Sequence, residues 1–216
     1  VGRPEGDWAQ LSATTLLGNG LYDSDRSGEA LSVREAICAT LRRVGVSERA
    51  MLGPQGNLAS SYEGQGMHEA AARLQQDVYA GYLRIHGEEY KDTLAVASNY
   101  ASFLKRRNRF EEAQSVLRKM MPVARRVLGE RDETTLKMKR IYAEALYLDE
   151  RATIGDLREA IDTLAETEGT ARCVLGSAHP LTLSIADCLR ESRAELGACE
   201  QQGEGESCFY QDPRFY

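Results

Sequence analysis

The residue types that most often carry out chemistry in proteins are sparse and widely separated in this sequence. Its three histidines, at positions 68, 86 and 179, form no His-x-x-x-His pair, and its five cysteines form no Cys-x-x-Cys pair. Zinc sites use such short ligand spacings, so the sequence predicts no metal site. The cysteines are Cys38, Cys173, Cys188, Cys199 and Cys208. Because their number is odd and their spacing wide, we expect reduced thiols in a cytoplasmic protein rather than a disulfide framework.

Motifs for nucleophilic catalysis and for phosphate binding are also missing from the sequence. It holds no G-x-S-x-G, no Walker A loop and no G-x-G-x-x-G that opens a helix after a strand. Of its two glycine clusters, residues 18–20 fall within a helical pattern, and residues 203–205 lie in an acidic tail that would repel phosphate. The sequence therefore predicts a protein that is not an enzyme, with no catalytic residue and no cofactor.

Composition excludes two further classes of protein. The 216 residues include 27 Lys and Arg against 33 Asp and Glu, a net charge of −6 that disfavours a nucleic-acid binder. No apolar run approaches the roughly 20 residues that span a bilayer, so we expect no membrane association. Hydrophobic residues at 42% and charged residues at 28% are typical of a globular chain.

A repeat with a period of about 42 residues organises the chain. A glycine is followed seven residues later by a leucine four times, and an alanine that ends an acidic turn recurs at the same spacing. The glycine–leucine pairs are Gly45 and Leu52, Gly87 and Leu94, Gly129 and Leu136, and Gly176 and Leu183; the alanines are Ala30, Ala71, Ala113 and Ala160. Both markers place five extra residues in the last unit, which predicts a surface loop at 149–153.

Each repeat has the apolar periodicity of two amphipathic helices, called here A and B. The predicted helices span residues 9–22, 27–44, 47–65, 68–85, 92–107, 109–128, 133–148, 156–175 and 180–198. Asp92 is the expected N-cap of the fifth helix, and the last three repeat glycines are expected in the left-handed conformation that follows a helix. Pro54 predicts either a late start or a kink in the third helix, and Pro122 predicts a bend in the sixth.

The motifs within these repeats resemble those of a known family. Residues 57–62 read Asn-Leu-Ala-Ser-Ser-Tyr, and residues 66–71 read Gly-Met-His-Glu-Ala-Ala. This is similar to the N-L-A-x-x-Y…G-x-x-E-E-A pattern of tetratricopeptide repeats of the kinesin-light-chain type. Residues 99–101 with 110–113 give a second match, and residues 175–183 resemble the family's L-G-x-x-H-P-x-T-L. The resemblance covers about residues 9–195 and implies a scaffold for protein interactions, although such repeats serve many ligands.

The resemblance also implies where a ligand would bind, because helix A of each repeat lines the concave face and extended peptides lie along it. The groove positions that follow are Asn57, Ser60, Ser98, Asn99, Ser102, Lys105, Arg106, Lys137, Arg140 and Glu144. This chain departs from the family at one point: where the family often has two successive asparagines, the first is replaced by Gly56, Ser98 and Arg140.

Charge is distributed unevenly along the sequence. Twelve basic residues and five acidic residues lie between positions 105 and 140, so this stretch carries +7 in a chain of −6. If Lys105, Arg106, Lys137 and Arg140 share the groove, they would attract an acidic peptide or a terminal carboxylate. The alternative is that these side chains are only solvated.

We therefore predict an all-α fold, a right-handed α-solenoid of about four tetratricopeptide-like helical hairpins plus a capping helix. Residues 1–8 are an N-terminal flank, 9–198 the solenoid, and 199–216 an acidic and aromatic tail expected to be disordered. One hypothesis docks the acidic part of this tail in the basic groove. The predicted function is a non-enzymatic scaffold that binds an extended, acidic peptide of a protein partner. The alternatives are a self-association module, with homo-oligomers, or the interaction domain of a larger protein.

Overall fold

The structure, a computed structural model, describes residues 13–21, 24 and 26–202. Regular structure within these ranges is helical throughout. Helix α1 spans residues 13–21, and the others are α2 Ser27–Val44, α3 Glu48–Gly64, α4 His68–His86, α5 Lys91–Arg106, α6 Phe110–Val127, α7 Glu133–Tyr147, α8 Ile154–Leu175 and α9 Pro180–Gln202. The predicted all-α helical repeat fold is confirmed. The predicted flank 1–8 and the tail from residue 203 lie outside the described residues.

The late start considered for α3 and the Asp92 cap expected for α5 are both wrong, for local reasons. Helix α3 begins at Glu48 rather than near Pro54, because the Ser47 hydroxyl accepts a hydrogen bond from the Ala50 amide and caps the helix. Pro54 lies inside that continuous helix. Helix α5 begins one residue early, since Tyr90 at its N-cap has an extended backbone, and Asp92 lies in the first turn instead of capping it. Residues 149–153 form the predicted connection between α7 and α8.

The end of α9 also differs from the prediction. The helix continues to Gln202, four residues beyond the expected end at 198. Cys199, in this extension, is buried and forms a disulfide. The expectation of reduced thiols is therefore wrong for Cys199, whereas Cys38, Cys173 and Cys188 are free.

Two repeat glycines follow helices in a conformation that L-residues with a side chain rarely adopt. Gly87 and Gly176 have φ of 79° and 90° with ψ of 174° and 159°, a region that is essentially restricted to glycine. The predicted positive φ is confirmed, but the extended ψ differs from a left-handed helical cap. This conformation leads the chain from each B helix into the next A helix.

The chain divides into two compact units, unit 1 (residues 1–87) and unit 2 (residues 88–216). In unit 1, α3 packs against both α2 and α4, around a core of Ile37, Cys38, Leu41, Met51 and Leu58. The buried guanidinium of Arg34 on α2 connects three helices. Its Nη2 donates to Asn19 Oδ1 on α1 at 3.0 Å, and its Nη1 donates to Ser61 Oγ on α3 at 2.7 Å.

Unit 2 contains α5 to α9, and each helix packs against the next. The small residues Ala101 and Ala143 are fully buried, and the large residues Leu104 and Leu146, three positions further along the same helices, are at most 1% exposed. The largest fully buried side chains of this unit include Phe103, Leu117, Met120, Met138 and Ile185. The core of unit 2 is therefore a continuous apolar layer between A and B helices.

Buried threonines recur in the first turn of the three A helices of unit 2. Thr93, Thr135 and Thr182 each precede a repeat leucine, and they are 0%, 0% and 2% exposed. Within the described part of the chain, their hydroxyl oxygens have no hydrogen-bond partner. A buried polar group without a partner carries its full desolvation cost. These positions therefore hold a methyl group that packs well and a hydroxyl that is unfavourable.

Replacing one of these hydroxyls by a methyl should stabilise the protein. We expect Thr135→Val to raise the free energy of unfolding by about 1 kcal/mol, because it removes a buried unpartnered hydroxyl at nearly constant shape. The measurement is urea unfolding followed by circular dichroism. The matched control is Thr135→Ser, which keeps the hydroxyl and removes the methyl and should lower stability. A lower midpoint for Thr135→Val than for the unaltered chain would contradict this account.

Candidate peptide groove

The A helices of unit 2 lie in one row. Helix α7 contacts α5 on one side and α9 on the other, whereas α6 and α8, both described in full, do not contact each other and each packs against α7. A row in which the A helices approach one another more closely than the B helices must curve toward the A helices. The A helices therefore line the inner face of unit 2.

A buried carboxylate lies at the centre of this inner face. Glu144 Oε1 on α7 is 3.2 Å from Lys105 Nζ on α5, and its Oε2 is 2.7 Å from Arg140 Nη1 one turn earlier on α7. The three side chains are 9%, 17% and 18% exposed. Two cations share one carboxylate, so the cluster keeps a positive charge. The Nε of Arg140 is buried and has no acceptor within the described residues.

Helix α9 adds two further groups to this cluster. Cys188 Sγ lies 3.5 Å from Glu144 Oε1, and burial, with the nearby Glu144 carboxylate, raises the pKa of the Cys188 thiol to about 11. Tyr147 on α7 donates its hydroxyl to Glu191 Oε2 at 3.0 Å. Burial raises the pKa of Tyr147 far above its ordinary value. Both groups are therefore protonated at neutral pH and connect α9 to α7.

The other predicted groove residues of unit 2 lie in different environments. Ser102 accepts a hydrogen bond from Arg106 Nη1 at 2.7 Å, and Lys137 is exposed and paired with Glu133 at 2.7 Å. Asn99 is exposed, whereas Ser98 is only 4% exposed. The structure thus gathers Lys105, Arg140 and Glu144 into one cluster and places Lys137 in a separate surface pair.

The two predicted groove residues of unit 1 are half-buried on α3. The backbone carbonyl of Asn57 accepts a hydrogen bond from Arg34 Nη1 at 2.9 Å. The Ser60 hydroxyl donates to the carbonyl of Gly56, one turn earlier, at 3.2 Å. These bonds hold α3 in place and use backbone groups, so the Asn57 side chain is not needed for them.

Most of the basic residues between positions 105 and 140 are paired with acids. In addition to the Glu144 cluster, the pairs are Arg109 with Glu112, Lys119 with Glu88, Arg125 with Glu130, Arg126 with Glu89, Lys137 with Glu133, and Lys139 with Glu130 and Glu166. Several of these acids lie outside the stretch, on neighbouring helices or loops. A count of charge along the sequence missed them, whereas pairs one helical turn apart, such as Arg140 with Glu144 and Lys137 with Glu133, were visible in the sequence.

The relationship of this chain to known proteins agrees with its geometry. A family model described as tetratricopeptide repeat matches residues 48–126. Residues 48–126 are thus similar to tetratricopeptide repeats. No curated protein matches the sequence of the chain. Among solved structures, kinesin-light-chain-like, nearly identical TPR-like repeats from Podosopora anserina align with a TM-score of 0.72 at 19% identity, over 89% of each chain.

Two further structures are similar to these repeats. A single-substitution variant of the Podosopora anserina protein aligns with a TM-score of 0.69 at 20% identity, over 90% of this chain and 97% of that one. BtubC (BKLC) from P. vanneervenii aligns with a TM-score of 0.58 at 13% identity, over 95% of this chain and 84% of that one. At such identities the likeness shows the fold. Tetratricopeptide repeats generally mediate protein–protein interaction and are generally non-enzymatic.

The described residues include neither a membrane-spanning helix nor a metal-binding group of side chains. None of the described helices combines the length and apolar character needed to cross a bilayer. No group of three or more His, Cys, Asp or Glu side chains in the described ranges could hold a metal ion.

Removing the buried carboxylate should destabilise unit 2. We expect Glu144→Gln to lower the free energy of unfolding by about 3 kcal/mol, because Lys105 and Arg140 would remain largely buried without a counter-charge. The matched control is Glu133→Gln, which breaks an exposed pair with Lys137 and should cost less than about 0.5 kcal/mol. Both values come from chemical unfolding of the purified variants. Equal losses for the two variants would contradict a buried charge cluster.

The free cysteines should differ in reactivity. At pH 8 we expect iodoacetamide to alkylate the exposed Cys173 readily and Cys188 very slowly, since burial and a pKa of about 11 keep the Cys188 thiol protonated and inaccessible. Peptide mapping by mass spectrometry measures the rate at each site. The same experiment in urea is the control, because unfolding should make the two rates similar. Fast labelling of folded Cys188 would show that α9 does not pack on α7 as described.

Proposed function

We propose that this chain is a non-enzymatic scaffold that binds an extended, acidic peptide segment of a protein partner along the face formed by its A helices. The observation that supports this most directly is the cluster of Lys105, Arg140 and Glu144 on the inner face of unit 2. It offers a surplus of positive charge and a buried guanidinium N–H that has no acceptor within the described residues. Carboxylates are the natural partners of such groups.

Glu144 determines how an acidic ligand would bind here. Lys105 and Arg140 already point at this carboxylate, so an incoming acid can take up only the donors that Glu144 leaves unused. Arg140 Nη1 binds Glu144 and leaves Nη2 for a ligand, and the Lys105 ammonium retains donors that Glu144 does not use. We therefore expect moderate affinity that depends on salt. The contact is proposed to extend along the groove through further polar groups, Asn99, Ser102 and Arg106 on α5 and Lys137 on α7. Three other residues are proposed to contact the peptide on the basis of the family resemblance alone, Ser98, Asn57 and Ser60.

The test uses two fluorescent peptides of equal length, one rich in Asp and Glu and one with Asn and Gln at the same positions. We expect saturable binding of the acidic peptide to the full chain by fluorescence anisotropy, weakened when salt rises from about 50 to 500 mM because exposed charges are screened. Arg140→Gln should weaken binding about tenfold, since it removes a charge-assisted contact while the Lys105–Glu144 pair remains.

The matched control for this experiment is Arg126→Gln. Arg126 is an exposed arginine on the B helix α6 and pairs with Glu89, so its loss should leave peptide binding unchanged. Equal affinity for both peptides, or equal effects of Arg140→Gln and Arg126→Gln, would contradict the proposed groove.

A second candidate function is self-association, either of this chain alone or as the interaction domain of a larger protein. The observation that favours it is exposed apolar surface on the first and last helices. Leu16 and Leu17 on α1 are 71% and 55% exposed, and Leu183 on α9 is 53% exposed. Sedimentation velocity over a range of concentrations distinguishes the candidates: a dimer disrupted by Leu16→Glu would favour self-association, and a monomer that binds the acidic peptide would favour the scaffold.

We propose the cytoplasm as the location of the protein, because thiols stay reduced there. The free Cys38, Cys173 and Cys188 support this location, and the disulfide at Cys199 argues against it. Redox state can be read from the mass of peptides after alkylation of cell extracts, where Cys38, Cys173 and Cys188 are expected as free thiols.

A further inference from the structure

The side chains that lie between neighbouring B helices differ between the two units. In unit 2, three side chains bridge α6 and α8 across α7. Arg118 Nε on α6 lies 3.2 Å from Tyr142 Oη on α7, and its guanidinium carbon lies 5.6 Å from the centre of the Tyr142 ring. The Tyr142 hydroxyl donates to Glu159 Oε1 on α8 at 2.7 Å. This bridge fills the space between the two B helices.

The repeat register identifies the equivalent positions in unit 1. The marker residues of the repeat align in three pairs: Ala30 with Ala113, Leu52 with Leu136, and Ala71 with Ala160. In this alignment, the positions of Arg118, Tyr142 and Glu159 are occupied in unit 1 by Glu35, Leu58 and Ala70, respectively. All three bridging side chains are therefore replaced in unit 1. At these positions unit 1 has an acid in place of the arginine, an aliphatic side chain in place of the tyrosine, and a methyl group in place of the glutamate.

An open pocket of about 440 Å³ lies where the bridge would be, and the three replacements line it. Its walls are α2 and α4, which do not contact each other within the described residues, and its floor is α3. The lining residues that matter for a ligand are Ala39, Tyr62 and Leu74, which supply apolar surface beside the buried Cys38 and Leu58. Charge is supplied by Glu35, Arg42, Arg73 and Asp77. Ligand sites typically combine such an apolar surface with a few polar groups at this size.

The charges around this pocket are not balanced by contacts. Glu35 accepts a hydrogen bond from the Tyr62 hydroxyl at 3.2 Å. Arg42 on α2 and Arg73 on α4 form no hydrogen bond or ion pair within the described residues, and neither does Asp77. Burial raises the pKa of the Cys38 thiol, and the charge of Arg42, one turn later on α2, acts in the opposite direction. Two guanidinium groups without an ion-pair partner therefore line the pocket together with two carboxylates, those of Glu35 and Asp77.

We propose that this pocket between α2 and α4 binds an organic anion, with its carboxylate or phosphate held by Arg42 and Arg73 and its apolar body on Ala39, Tyr62 and Leu74. Guanidinium groups bind planar carboxylates and phosphates through paired hydrogen bonds. The site is independent of the peptide groove, because it lies between B helices and in the other unit. The ligand supplies the bridge between B helices that unit 1 lacks, so it stabilises unit 1.

The test uses three probes with the same ring: 2-naphthoate, 2-naphthyl phosphate and 2-naphthylmethylammonium. Proton–nitrogen correlation spectra of the full chain should show saturable shifts with the two anions, confined to residues 35–77, and none with the cation. The relative affinities of the two anions separate a carboxylate ligand from a phosphate ligand. Preferential binding of the cation, shifts centred on residues 102–147, or no binding of either anion would each overturn the proposal.

Variants of the full chain refine the test. Arg42→Gln and Arg73→Gln should each weaken anion binding at least about fivefold. The matched control is Arg43→Gln, an exposed neighbour on α2 that does not line the pocket, and its affinity should stay within about twofold. Ala70→Glu restores the acid of the unit 2 bridge at this position and should abolish anion binding with little change in thermal stability. Equal effects of Arg42→Gln and Arg43→Gln would show that the pocket is not the site.

Discussion

Close approach of helices at small side chains is the constraint on which the rest of this structure depends. Ala59, Ala101 and Ala143 recur at one position of successive A helices and are fully buried. On α4, Gly81 lies so near Leu52 that an added Cβ would be 2.5 Å from its Cδ2. A helical hairpin cannot bury its apolar face alone. Within unit 1, α3 therefore contacts both α2 and α4, and within unit 2, α7 contacts both α6 and α8. Larger residues at these positions would separate the helices.

Once that approach is set, charged side chains on neighbouring helices come within reach of one another. Lys105, Arg140 and Glu144 meet because α5 and α7 lie side by side. The result is a partly compensated charge cluster rather than an open basic surface. An acidic ligand would therefore compete with an acid of the chain itself, a situation that favours moderate and selective binding over tight electrostatic attraction.

Differences between equivalent positions give each repeat its own chemistry. Four residues after the marker alanine of each B helix, the buried residue is Arg34, then Gln75, then Leu117 and Leu164. Arg34 thus joins α2 to α1 and α3 through hydrogen bonds, whereas Leu117 and Leu164 pack in the apolar core. The bridge of Arg118, Tyr142 and Glu159 and the pocket lined by Glu35, Leu58 and Ala70 are a second case. The same backbone arrangement therefore supports a filled space in one unit and an open one in the other.

The helical hairpins, their order and their buried faces could be predicted from the sequence, because periodicity of 3.6 residues and the spacing of glycine, alanine and leucine are local signals. The residues proposed for the groove came from the resemblance of these motifs to a known family. The start of α3 was harder to predict, because it depends on the hydrogen bond by which Ser47 caps the helix. Only the tertiary structure decided which charges are compensated, since Glu88, Glu89 and Glu166 come from helices and loops outside the basic stretch. Pairing between helices depends on distances in space, and these are set by packing rather than by the order of residues along the chain.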